Sequence, residues 1–176
     1  MESFIAEWGY IALFLYSFGG GMLALAIGGV FASTGDLNII YVIIIASISN
    51  FIGDGFLFWL ARNNKAHAKE MMKKHQRKIA YTHLLMRKYG TLVIFIQKYI
   101  YGVKTLVPLA MGLTKYDLNK FIFVNAFASI VWGIVVGTTA YILGNIFIDY
   151  LEQIKEYAFV FILAILLILF YFYKKN

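Results

Sequence analysis

The chain of 176 residues contains no cysteine. Disulfides, cysteine-ligated zinc and thiol catalysis are excluded together, and the redox compartment stays open. Proline occurs once, at Pro108, against fifteen glycines, which excludes proline-rich and collagenous classes. Charge is scarce as well: 14% of the residues carry one, where a soluble domain has about 25%. Against that stand 61% hydrophobic residues and a mean hydropathy of +0.74. Such a chain cannot cover itself with polar surface. It reads as a small polytopic membrane protein without cofactor. Glu2 and Glu7 open the sequence with no Lys or Arg beside them, so the N-terminus does not read as a secretory signal.

The net charge of +7 is unevenly placed. Arg62 to Lys88 holds nine of the sixteen basic residues and one acid, Glu70, so this segment carries +8 and the remainder −1. A basic loop between hydrophobic runs follows the positive-inside rule and faces anionic lipid heads, not nucleic acid. Within it Met72, Ile79 and Met86 recur every seven residues, which suits a helix lying on the cytoplasmic leaflet. His67, His75 and His83 fall about 80° apart around such a helix and read as solvated residues, not metal ligands.

Five apolar stretches stand out: Gly9–Ser33, Leu37–Ala61, Thr91–Leu113, Phe121–Ile148 and Tyr157–Tyr173. Their lengths without alternation suit helices in lipid. Two of them make poor spans. Thr91–Leu113 contains Lys98, Gly102, Lys104 and Pro108, and each central lysine costs about 2.5–3.5 kcal/mol to insert. Gly9–Ser33 has Gly19-Gly20-Gly21 at its middle. Both read as helix–break–helix hairpins entering and leaving on one side, with legs of about 16 Å that reach the midplane.

A shift of 81 residues superposes Gly9 on Gly90, Phe14 on Phe95 and Gly21 on Gly102. It also superposes Asp36-Leu37-Asn38 on Asp117-Leu118-Asn119, where Asp or Asn would cap the following helix. The expected fold is therefore all-α and polytopic: two re-entrant broken-helix hairpins, each followed by a transmembrane helix as an inverted repeat, and a C-terminal transmembrane helix. One domain covers 1–176, divided into 1–61, a basic cytoplasmic segment 62–90, 91–148 and 149–176. The basic segment and the C-terminus lie in the cytoplasm on the charge rule.

Three ionisable residues lie deep in apolar sequence: Asp54, Lys98 and Lys104. Residues of this kind are costly in lipid and are functional candidates. Asp54 lies about 12 Å below the Arg62 end of its helix, and Lys98 about 12 Å into the second hairpin from the same face. Equal depth allows a pair, either functional or self-neutralising. Lys104 lies near the hairpin tip, with Pro108 expected to keep the return leg irregular. A lysine beside unwound backbone outlines an anion site suited to phosphate. Catalysis has little to work with, because every histidine sits in the basic loop. The chain is not expected to be an enzyme.

At these residues the sequence resembles the DedA family of VTT-domain membrane proteins. The stretch Lys98-Tyr-Ile-Tyr-Gly-Val-Lys104-Thr-Leu-Val-Pro108-Leu-Ala-Met-Gly112 is similar to the family signature R-F-x-P-G-x-R-T-x-x-P-x-x-A-G. Gly53-Asp54, Asn125 and Trp132-Gly133 match further family positions. The resemblance implies a flippase in the bacterial inner membrane that moves undecaprenyl phosphate or a phospholipid, with phosphate head groups as partners. Lys98, Lys104, Asp54, Gly102, Pro108 and Asn125 are the transport residues it points to. Lysine stands at both family arginine positions, which keeps the charge and loses the bidentate fork. The first hairpin departs further: no acid lies between Glu7 and Asp36, where the family carries acids implicated in proton coupling. Passive flipping, other coupling or another substrate remain open, as does a membrane-organising role with a structural ion pair.

Overall fold

The computed structural model describes the backbone of residues 2–19, 21–73, 76–100 and 103–175, and side chains within 8–19, 21–73, 77–100, 103–146 and 148–149. Among the described residues every regular element is helical. In order they are α1 (Glu2–Phe18), α2 (Met22–Ser33), α3 (Ile39–Asn63), α4 (Lys65–Lys73), α5 (Gln76–Tyr89), α6 (Val93–Ile96), α7 (Leu106–Leu113) and α8 (Leu118–Lys175), with 3₁₀ turns at Gly90–Leu92 and Gln97–Tyr99. Two helical stretches, Ile39–Asn63 and Leu118–Ile146, are long and apolar enough to cross a bilayer.

Those two helices form the axis of the molecule and run antiparallel. Gly133 abuts Ser47 and Gly137 abuts Ile43, while Asn125 Nδ2 donates to the Phe51 carbonyl at 3.1 Å. As α8 advances, its partners on α3 recede. Lipid gives no hydrophobic drive between helices, so close packing of small residues has to hold such a pair.

Each apolar stretch with an expected break is broken. The first turns back between Phe18 and Met22. Leu13 then lies beside Gly28, and the Tyr10 hydroxyl accepts from the Asn38 amide at 2.9 Å. The turn itself meets α3: a Cβ on Gly53 would strike the Phe18 carbonyl. The second stretch enters through Gly90, whose positive φ of 54° a glycine adopts freely. It leaves through Thr114, and Tyr116 Oη and Thr91 Oγ1 join its two ends at 3.1 Å. Arg62 holds the exit by donating to the Gly112 carbonyl at 3.0 Å and to that of Tyr116.

Several expectations need correction. Pro108 does not disturb the return leg, because it occupies the first turn of the regular helix α7, where a missing N–H removes no helical bond. The basic segment is two helices, not one. Its Met72 is buried and Ile79 and Met86 are partly buried against Leu106, Leu109 and Ala110. The seven-residue apolar stripe thus covers α7 and is not left for lipid. Asn38 caps α3 through Ile40 N, and Asp117 caps α8 through Lys120 N. The two Asp-Leu-Asn copies therefore cap from different positions. Phe121–Ile148 and Tyr157–Tyr173 lie on one continuous helix. The side chains of 157–173, Gly102 and His75 lie outside the described residues.

Candidate functional site

The centre of the molecule is polar, and each element contributes to it for a local reason. Along α3, Asn50 and Asp54 are four residues apart and share a face. Along α8, Asn125 and Ser129 do the same. The 3₁₀ turn Gln97–Tyr99 ends the inward leg of the second broken stretch and delivers Gln97 and Lys98 between those faces.

Lys98 Nζ lies 2.8 Å from Asp54 Oδ2, with both residues buried. It also donates to Asn50 Oδ1 at 2.6 Å, Asn125 Oδ1 at 3.0 Å and Ser129 Oγ at 3.0 Å. Four oxygens around an ammonium with three hydrogens leave the cation fully satisfied, with one hydrogen shared. Gln97 Nε2 donates to the same Asp54 oxygen at 3.3 Å. A buried ion pair survives only when its remaining polar capacity is met, and here Asn50, Asn125, Ser129 and Gln97 meet it. The pair expected from equal depth is present.

Lys104 is arranged differently. It is 8% exposed, and its Nζ has no hydrogen-bond partner among the described residues. The ammonium sits 5.0 Å from the Trp132 ring centroid, a cation–π contact that lessens its cost without filling its donors. Trp132 Nε1 and Asn50 Nδ2 are likewise buried without partners. On the acceptor side Gln97 Oε1 is unpaired, and the hydroxyls of Ser17 and Ser47 are too. Buried polar atoms left unpaired cost about 1–3 kcal/mol each. The Lys104 ammonium beside Trp132 is a place where something negative would gain.

The six residues singled out from sequence thus separate. Asp54, Lys98 and Asn125 meet in one network, Lys104 stands beside it over Trp132, and Pro108 opens the helix that follows. Gly102 lies outside the described residues. Asn50, Ser129 and Gln97 do not stand out in the sequence, because a neutral polar residue costs far less in an apolar run than an ionisable one. The four-residue spacing of Asn50 with Asp54, and of Asn125 with Ser129, was the available signal. Among the described residues no three His, Asp or Glu side chains gather as a metal site.

The chain is similar to known proteins. The model of the VTT domain matches residues 18–142, a stretch that runs from the first turn to well along α8. Inner membrane protein YohD of Escherichia coli (strain K12) is 24% identical over 157 residues, 89% of this chain and 82% of that protein. Undecaprenyl phosphate transporter A of Bacillus subtilis (strain 168) is 28% identical over 161 residues, 88% of this chain and 80% of that protein. Inner membrane protein YqjA of Escherichia coli (strain K12) is 31% identical over 84 residues, covering 47% and 36%. No solved structure matches. Its relatives are named as membrane proteins, its own helices are apolar enough to cross a bilayer, and the chain belongs to the DedA family of VTT-domain membrane proteins.

Proposed function

We propose that this protein moves a phosphate-bearing lipid, undecaprenyl phosphate or a phospholipid, across the bacterial inner membrane. The observation that carries the reading is Lys104: a buried ammonium with unfilled donors, beside a carboxylate already taken up by Lys98. A free phosphate head would meet donors there and no unpaired carboxylate. Tight binding of a phosphate needs such donors in a low-dielectric surround. The relative from Bacillus subtilis is named for undecaprenyl phosphate transport, which supports that substrate over others.

In this reading both broken stretches are re-entrant and enter from opposite faces as an inverted repeat. Irregular backbone at membrane depth is tolerated only inside protein or beside a wet cavity. The tips then meet at the level of Gly53 and Asp54, near the midplane, where alternating access would expose the head to either side. The +8 segment faces the cytoplasm. No bond is made or broken, so the chain acts as a transporter and not as an enzyme.

A second reading is a membrane-organising protein without transport. The complete satisfaction of Lys98 favours it, since an ammonium held by four oxygens is built to stay. Proteoliposomes separate the two. Translocation of undecaprenyl phosphate and of common phospholipids is measured with and without a pH gradient. Transport is expected in the native protein, lost in Lys104→Gln and retained in Lys104→Arg. Equal translocation by native protein and Lys104→Gln would falsify the head-group site.

A further inference from the structure

The helices α1 and α2 leave a seam between them. One packs on α3, through Phe18 at Gly53 and Ser49 donating to the Phe14 carbonyl. The other packs on α8, where Gly29 abuts Ala140 and Gly144 abuts Ser33. Each leg thus leans chiefly on a different spanning helix, and the two touch each other through Leu13 at Gly28. Their facing stripes step alike: residues 8, 9, 12, 13 and 16 oppose 23, 24, 27, 28 and 31, and all ten line the seam. Gly9, Ala12, Ala24 and Gly28 keep its floor low, while Trp8, Tyr16, Leu23 and Ile27 stand more than half exposed at its edges. The result is an apolar groove of about 520 Å³, within the range of sites that hold small ligands.

Its length identifies what fits. From Trp8 to Tyr16 the groove runs about 12 Å along α1, close to the roughly 15 Å hydrocarbon depth of one leaflet. No charged residue and no polar side chain other than the Tyr16 and Trp8 rims lines it. We propose that this groove binds one hydrocarbon chain of a lipid from the leaflet the first hairpin enters. The head lies at the open end by Trp8 and Leu37, and the chain terminus lies by Tyr16 and Leu23. Trp8 is then at interface depth, where indole rings are favoured. Its wall residue Leu13 belongs to the same buried cluster as Trp132, over which Lys104 sits. A lipid is thus held by its tail beside the place its head has to pass. This rests on the re-entrant reading and on the proposed transport.

Photo-crosslinking in phosphatidylcholine liposomes tests it. Two phosphatidic acids carry a diazirine, one near the acyl carbonyl and one at the chain end; polyprenyl phosphates carry the same two labels. Labelled residues are identified by mass spectrometry. The shallow probe is expected on Trp8 and Leu37 and the deep probe on Tyr16 and Leu23. Labelling by the acyl arm alone assigns the groove to an ordinary phospholipid chain, and labelling by the polyprenyl arm to an isoprenoid one; both support the proposal. Filling the floor with Ala12→Phe or Ala24→Phe should lower labelling about tenfold, as a competing ring excludes the chain. Should either variant fail to fold, the depth order in the native protein still decides. Shallow and deep probes marking the same residues, or a folded Ala12→Phe labelled as strongly as the native protein, overturn the proposal. Lys104→Gln keeps the graded pattern within about twofold, because chain burial is non-directional and charge-independent. Lost grading with Lys104-dependent transport intact removes the groove alone. Graded labelling without such transport removes the head-group site alone.

Discussion

At the scale of single residues, two lysines six positions apart have opposite circumstances. Lys98 is surrounded by acceptors, and Lys104 has none among the described residues. Their substitutions should therefore differ in kind. Removing the Asp54 charge by Asp54→Asn strands a buried ammonium, at a cost of about 3 kcal/mol. Lys98→Gln strands a buried carboxylate at a comparable cost. The double variant should recover about 2 kcal/mol of the summed loss, as residues in one network couple. Thermal unfolding in detergent measures all three, and strict additivity would remove the pair. Lys104→Gln, by contrast, should change stability by less than about 1 kcal/mol, since no hydrogen bond depends on it. Asp54 and Lys98 were readable in the sequence because ionisable residues are rare in apolar runs and their depths can be counted from the helix ends. Asn50, Gln97 and Ser129 were not, because neutral polar residues carry no such depth signal and become informative only once two helices face each other.

At the scale of elements, contacts between broken and unbroken segments run through glycine. On α3, Gly53 receives the Phe18 carbonyl, and on α7, Gly112 lies against the Phe58 carbonyl. Backbone on the other side of each contact cannot turn away as a side chain would. Gly53→Val and Gly112→Val should each lower stability by about 2–3 kcal/mol through forced separation. Gly55, on the same helix as Gly53, has nothing within 4 Å of a built Cβ. Gly55→Ala should raise stability by up to about 1 kcal/mol through helix propensity alone. Midpoints of thermal unfolding rank the three. If Gly53→Val proves as stable as Gly55→Ala, the turn does not seat on α3. The breaks themselves were legible as clustered glycines and membrane-depth lysines. The partner of the amphipathic segment was not: Met72, Ile79 and Met86 mark an apolar stripe, and a stripe fits lipid and α7 alike until α7 is in view.

At the scale of the whole molecule, the 81-residue shift aligns the two tips, Gly19 to Gly21 with Ile100 to Gly102. It does not align the helices that follow, since α3 starts at Ile39 and α8 at Leu118, two residues out of step. In the proposed inverted repeat the tips keep their register because they meet at one level, while the connecting turns drift. That argument requires the first broken stretch to have both ends on one face and the second to have both on the other. Tyr10 joined to Asn38 and Thr91 joined to Tyr116 are the contacts behind it. Single cysteines on this cysteine-free background test it directly. Trp8→Cys and Thr34→Cys should react with an impermeant maleimide from the same side of sealed vesicles. Tyr89→Cys and Lys115→Cys should react from the opposite side, together with Lys69→Cys in the basic segment. Positions 8 and 34 reacting from opposite sides would mean that the first stretch spans. The N-terminus, with Glu2 and Glu7, would then lie on the same side as the basic segment. Tyr10 and Asn38 would also sit on opposite faces, so a spanning first stretch is incompatible with the hydrogen bond that joins them.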